Sequence, residues 1–356
     1  MDHAARRRRL GGRFDELGVE ALLVTRIVNV RYLTGFTGTN GQIVVTREGG
    51  TFFTDSRYRE QCRREVPDLP TEIYDREFHG RVGEVCRAGG LRRLGFEAAG
   101  LTYRGWRRLE AEDGVDLVAV EDPVERCRWA KDPEELWLIE RAQGITDEAF
   151  DRVTGKLVEG ITERQVAFEL ELAMRQLGAE RIAFDSIVAF GEQAAEPHHR
   201  PGDRPLRRGD VVKLDFGALV DGYHSDMTRT VAFGEPDHRI REVHQVVLRA
   251  HLAGIEAVRA GATGGEADRA ARGVVQEAGF GDRFGHGLGH GVGLEIHEGP
   301  SLRREGEDVL PAGAVVTVEP GVYLPGVGGV RIEDMVVVQP DGCRPLPEAS
   351  KELVVL

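Results

Sequence analysis

Asp215, Asp226, His290, Glu319 and Glu333 follow one another through the last third of the chain, and the four acids stand in apolar, strand-like runs. Acids embedded among Val, Leu and Ile rarely face water, and a buried carboxylate without a partner is costly. Gathered in one pocket, four carboxylates would take up protons or destabilise the fold, whereas two divalent cations cancel their formal charge. The set therefore suits a two-metal centre. Hard oxygen donors outnumber the single imidazole and there is no thiolate, which suits Mn²⁺ or Co²⁺ and does not exclude Zn²⁺. Solvated acids at the tips of surface hairpins would not be framed by such apolar residues.

Two hairpins are expected to position the acids. Residues 209–217 read as a strand, Asp221-Gly222 as a turn and residues 223–233 as the returning strand. A hairpin centred just before Asp221 makes Asp215 and Asp226 cross-strand neighbours. The run 313–321, the turn at Pro325-Gly326 and the return through Val330 to Glu333 repeat the device, and a centre on Gly326 sets Glu319 opposite Glu333. Facing side chains lie about 4.5–5.5 Å apart at Cβ. Paired catalytic metals lie about 3.5–4 Å apart, so such acid pairs are able to span two ions. The shared pattern Gly-x-Val-Val-x-apolar-acid-x-Gly at 209–217 and 313–321 reads as an internal duplication of the hairpin.

Five segments resemble the signatures of the pita-bread metallopeptidases: Asp215-Phe-Gly, Tyr223-His-Ser-Asp226-Met-Thr-Arg-Thr230, Gly285 to Glu298 with His290 and His297, Val318-Glu319-Pro-Gly-Val-Tyr323, and Gly329-Val-Arg-Ile-Glu333-Asp. Taken in order from 215 to 334, they are most similar to the Xaa-Pro branch, prolidase and aminopeptidase P. The resemblance implies an α/β two-domain chain. A small creatinase-like N-terminal α/β domain, 1–125, would precede a pita-bread catalytic domain, 126–356, with a curved antiparallel sheet and flanking helices. It also implies two divalent ions per subunit, with Asp226 and Glu333 bridging them, Asp215 completing one and His290 with Glu319 the other.

The implied activity is that of a dimetal Xaa-Pro dipeptidase, hydrolysing the Xaa-Pro amide bond with a metal-bridging hydroxide. Glu319 would be general base and proton shuttle, and the substrate amine would bind near Asp215. The rival is an aminopeptidase P that releases the residue ahead of proline from longer peptides. A catalytically inactive pita-bread binding module is the alternative from another class, and lost ligands, its mark, are not seen. Methionine aminopeptidase would need neither the leading domain nor the histidine spacing, and creatinase lacks the metal set.

By the same resemblance His198 and His297 are catalytic and substrate-binding donors to the developing oxyanion. His286 stands open between a substrate role and a structural one, and His199 reads as structural. Tyr323 and Arg331 would support ligands or bind substrate. Arg303 and Arg304, or Arg57 in the N-terminal domain, are candidates for a substrate carboxylate. The Gly-rich run 285–293 lacks the Lys-Ser/Thr ending of a phosphate loop, so its glycines are read as allowing close backbone approach.

The rest of the 356-residue chain is consistent with this. A net charge of −13, with no basic block near the site, argues against nucleic-acid or anionic-membrane partners. The expected partners are proline-containing di- or short peptides and a second copy of the chain, as a homodimer. Arg6 to Arg9 read as one solvated helix face. Nothing resembles a membrane span or a signal peptide, which points to the cytoplasm. Cys62, Cys86, Cys127 and Cys343 are scattered, as reduced thiols would be. Tyr32 to Gly41 reads as a loop that in relatives closes over the partner's site, and Asp132-Pro133-Glu-Glu as a helix start.

Overall fold

The computed structural model describes residues 1–112 and 114–356. Contacts divide it between Arg128 and Trp129, against an expected boundary at 125/126.

In the first unit, strands β1 (Ala21–Val24), β2 (Gln42–Thr46), β3 (Gly49–Asp55), β4 (Thr71–Tyr74), β5 (Arg93–Glu97) and β6 (Asp116–Val120) form one mixed sheet, ordered β4-β3-β2-β1-β5-β6. The apolar runs Ala21 to Val24, Ile43 to Thr46, Thr51 to Thr54 and Leu117 to Val120 are strand-like in the sequence and form β1, β2, β3 and β6. Short β4 and β5 have no such run, because four or five residues with charged neighbours carry little periodicity. Leu23, Val44, Phe53, Leu94 and Phe96 build a core with Val82, Cys86 and Leu109 of the covering helices.

Two expectations for this unit are corrected. Arg6 and Arg7 are not solvated; they are 2% and 4% exposed. Their guanidinium groups donate to the carbonyls of Tyr32 (3.1 Å) and Leu33 (2.7 Å), at the C-terminus of the helix Ile27–Thr34. The negative end of a helix dipole and its unpaired carbonyls attract cations there. Residues 32–34 are accordingly helical, and the loop begins at Gly35, whose φ of 79° caps the helix.

The second unit is built of antiparallel hairpins and long helices, as the pita-bread expectation required. Asp132 caps the helix Pro133–Thr154, and Glu135 closes the capping box. The helices His238–Ala257 and Gly264–Glu277 pack Val243, Val247, Ala250, Ala271 and Val275 against Val316, Val318, Val336 and Val338 of the sheet. The strands are β7 (Arg181–Ile182), β8 (Ile187–Phe190), β9 (Asp210–Phe216), β10 (Ala218–Val220), β11 (Tyr223–His224), β12 (Met227–Phe233), β13 (Gly289–Gly291), β14 (Glu298–Leu302), β15 (Val315–Val318), β16 (Gly321–Leu324), β17 (Gly328–Arg331), β18 (Asp334–Gln339) and β19 (Gly342–Pro345).

The first acid-bearing hairpin differs from expectation in register. Val220 pairs with Tyr223 and Asp215 with Thr228. The centre therefore falls between Asp221 (φ 46°) and Gly222 (φ 79°), a two-residue turn with both central φ angles positive. Asp226 lies opposite Gly217, so the two aspartates are diagonal neighbours on one face.

The second hairpin keeps its expected centre, since Tyr323 pairs with Gly329 and Val318 with Asp334. Glu319 and Glu333 hold facing positions where the ladder is interrupted. Pro320 has no N–H to give, and the amides of Glu319 and Glu333 donate instead to Leu288 and Thr228 carbonyls. Both hairpins thus have interrupted strands beside their acids, with different acid registers.

Candidate metal centre

A cavity of about 250 Å³ in the second unit is lined by Asp215, Asp226, His290, Glu319 and Glu333, by His198, His286, His297 and Arg331, and by the apolar wall of Phe184, Ile187, Pro197 and Ile296. Asp226, His290 and Glu333 each bring one ligand atom to within 4.8 Å of the others. The ring of His290 stands 3.4 Å from Glu319 Oε1 and 3.7 Å from Asp226 Oδ2 through Nε2. Asp215 shares the cavity, but its Oδ2 is engaged by the Arg331 guanidinium.

Local chemistry prepares these groups for cations. His290 Nδ1 lies 3.0 Å from the Gly291 carbonyl, which only accepts, so Nδ1 carries the proton. Burial, with His297 nearby, pulls the imidazole down to about 4. The ring is therefore neutral and turns its Nε2 lone pair to the acids, the form that binds metal. Burial and mutual repulsion push the Asp226 and Glu333 carboxyls well above the usual range. Burial pushes Glu319 up to about 7, against the counteracting charge of Arg331. Such a cluster holds protons until cations replace them, so the donor set fits divalent metal ions.

The supporting groups come from strands far apart in sequence. Thr228 Oγ1 donates to Glu333 Oε2 at 2.6 Å and accepts from Arg331 Nε at 3.0 Å. Arg331 also donates to Tyr323 Oη (3.0 Å) and to the Pro197 carbonyl (3.2 Å). Arg331 lines the cavity, yet most of its N–H groups are committed to protein acceptors. His286 is similarly engaged: Nδ1 donates to the Gly287 carbonyl (2.8 Å), and Nε2 accepts from Tyr323 Oη (2.9 Å).

His198 and His297 line the cavity, and the His297 ring lies edge-on to His290 with centroids 4.3 Å apart. His199 is buried between Glu163 and Glu196. Arg303 and Arg304 are exposed in an adjoining cleft that shares His286 and Gly287 with the metal cavity, and they are not brought into the cavity itself. In the Gly-rich run, a Cβ on Gly289 would meet the Thr317 carbonyl oxygen at 2.0 Å, and one on Gly291 would meet that of Gly299 at 2.2 Å. Glycine lets β13 fit between β14 and β15, with His290 at its centre.

Behind the site, Asp334 is fully buried among Arg229, His251 and Lys351. Although burial opposes it, the His251 hydrogen bond and the surrounding cations hold its carboxyl well below the usual range. His251 also bonds the Val318 carbonyl at 2.9 Å, tying β15 to β18 next to Glu319 and Glu333. Sequence reasoning missed Thr228 and this network, for which the sequence offers no local signal.

All four cysteines are free, and burial pushes the Cys86 and Cys343 thiols up to about 11. Among the described residues, no helix is long and apolar enough to cross a membrane.

Residues 138–340 match the model of metallopeptidase family M24, and residues 6–129 match the creatinase/prolidase N-terminal domain. An Xaa-Pro dipeptidase of Pyrococcus horikoshii is 36% identical over 343 residues, covering 96% of both chains. The structure of an Xaa-Pro dipeptidase from Bacillus anthracis superposes with a TM-score of 0.97 at 38% identity, covering both chains entirely. That of an X-Pro aminopeptidase from Thermotoga maritima gives 0.90 at 35% identity, covering 98% of this chain and 99% of the other.

Proposed function

Since the chain belongs to metallopeptidase family M24, we propose that it is a metal-dependent Xaa-Pro dipeptidase, cleaving the amide bond ahead of proline to release the amino acid and proline. The observation that carries this reading is one small cavity in which the His290-centred acids face His198, His297 and an apolar wall. At about 250 Å³ it falls below the ~300–1,000 Å³ of drug-sized pockets, which suits a dipeptide.

Asp215, Asp226, His290, Glu319 and Glu333 would hold two divalent ions, Mn²⁺ first by their hard donor set. When bound, such ions polarise the peptide carbonyl and lower the pKa of water at the site. Glu319, beside the ions, would accept a proton on its carboxylate and pass it to the leaving proline nitrogen. His198 and His297 donate hydrogen bonds to the carbonyl oxygen as it gains charge. Arg331 and Tyr323 orient Asp215 and His286, while Phe184, Ile187, Pro197 and Ile296 exclude water and receive the pyrrolidine ring. A homodimer in the cytoplasm completes the proposal, and the four free thiols suit a reducing compartment.

Aminopeptidase P activity is the second reading. The likeness to the Thermotoga maritima X-Pro aminopeptidase favours it, as does the adjoining cleft with Arg303 and Arg304, where a longer peptide would extend. Hydrolysis of Ala-Pro beside Ala-Pro-Ala by the Mn²⁺-loaded protein decides between them. Cleavage of the dipeptide alone is expected. Equal or faster release of alanine from the tripeptide would establish the second reading, and cleavage of neither would return the chain to a binding role.

A further inference from the structure

The side chain of Lys213 is wholly buried on β9, between Val212 and Leu214, and enters none of the chemistry above. Among the described residues no carboxylate lies within ion-pair distance of it. Instead its Nζ donates to the carbonyls of Ala194 (3.1 Å) and Glu196 (2.5 Å), and it stands 5.2 Å from the centroid of the Tyr323 ring. These carbonyls belong to one loop, the short 3₁₀ turn Gly191–Ala195 and the residues after it, which carries Pro197 and His198 to the cavity.

The same loop is held twice more. Arg331 Nη1 takes the Pro197 carbonyl at 3.2 Å. The ring of His199 is fastened between Glu196 and Glu163 at 2.8 and 2.9 Å. The carbonyls of 194, 196 and 197 are thus turned inward onto the buried side chains of Lys213 and Arg331, and His199 is turned inward onto a buried acid. His198, standing between them, faces the cavity. Buried carbonyls need donors, and a lysine, whose Nζ keeps at least two N–H groups at the end of a long stem, is able to serve two of them at once from a neighbouring strand.

We propose that Lys213 is the positioning residue for His198, holding through the Ala194 and Glu196 carbonyls the loop that aims this imidazole at the substrate. The inference rests on the dipeptidase reading for its kinetic consequence, but its structural part is independent of it. Lys213→Met keeps the length and apolar stem and removes the donors.

With Mn²⁺ and Ala-Pro, the Lys213→Met variant is expected to lose about tenfold or more in kcat, with KM within about twofold and an unchanged number of bound Mn²⁺. Introduced into His198→Ala, the same change is expected to cost less than about twofold, because a residue acting through another has nothing left to act on. Lys213→Arg, which restores donors, is expected to recover most of the rate. Equal losses in both backgrounds, or a wild-type kcat, would overturn the proposal.

Hydrogen exchange of the metal-loaded proteins provides the readout that needs no activity. Faster exchange confined to residues 191–199 in Lys213→Met supports the positioning role, and unchanged exchange there overturns it. If the wild-type protein cleaves no Xaa-Pro peptide, the dipeptidase reading fails while the exchange experiment still decides the role of Lys213. Should Lys213→Met fold poorly, the comparison is made with Lys213→Gln, which is expected to show a smaller change of the same sign.

Discussion

Glu333 reaches its orientation through a threonine 105 residues away, since Thr228 Oγ1 donates to its Oε2. Groups that orient ligands commonly alter metal affinity by about 10- to 100-fold when removed. Thr228→Val, nearly identical in shape, is expected to raise the Mn²⁺ dissociation constant at least tenfold while the protein stays folded; calorimetric titration giving the wild-type affinity would remove Thr228 from this role. The acids themselves were legible because charge inside apolar runs is conspicuous. Their helpers were not, since a threonine in a strand is ordinary until its neighbour across the fold is known. Arg303 shows the reverse case: a plausible residue type whose position in an adjoining cleft only the fold reveals.

At the scale of elements, the two hairpins show how finely turn geometry decides a site. Moving the first centre by one residue, onto Asp221-Gly222, changes Asp226 from the direct partner of Asp215 to its diagonal neighbour. Gly217, opposite Asp226, approaches the facing strand so closely that a Cβ would meet the Ser225 carbonyl oxygen at 1.9 Å. Backbone cannot yield there as a flexible side chain would. Gly217→Ala is therefore expected to destabilise the protein by about 1–3 kcal/mol and to weaken Mn²⁺ binding by parting the strands that carry both aspartates. Urea unfolding and metal titration check the two parts, and a variant matching wild type in both would show that the strands part at no cost.

For the molecule as a whole, the raised carboxyls of the site couple stability to pH. A carboxyl whose pKa is raised by folding stabilises the fold fully below its unfolded value, and that contribution is lost as pH rises through the folded value. Glu319 is raised to about 7, and Asp226 and Glu333 are raised as well. The metal-free protein is accordingly expected to lose melting temperature from about pH 5 to pH 8 as these acids ionise against one another. Divalent ions bind the ionised form, so the gain in Tm on adding saturating Mn²⁺ should grow over the same interval. Scanning calorimetry with and without Mn²⁺ measures both, and a metal-induced gain that shrinks with rising pH would contradict the assignment of these acids as ligands.

From the chain alone came the identity of the acids and His290, the strands that bear them, the helix start at Asp132 and the plan of a leading α/β unit before a pita-bread unit. All of these depend on local pattern: apolar runs, turn residues and caps act over a few positions and are written in neighbouring letters. Only the tertiary structure decided the register of the first hairpin, the burial of Arg6 and Arg7 on a helix end, the commitment of His286 and Arg331 to protein partners, and the grip of Lys213 on the loop of His198. Each of these depends on hydrogen bonds between residues brought together by packing, and such bonds leave no periodic mark in the sequence because their partners are set by where elements meet.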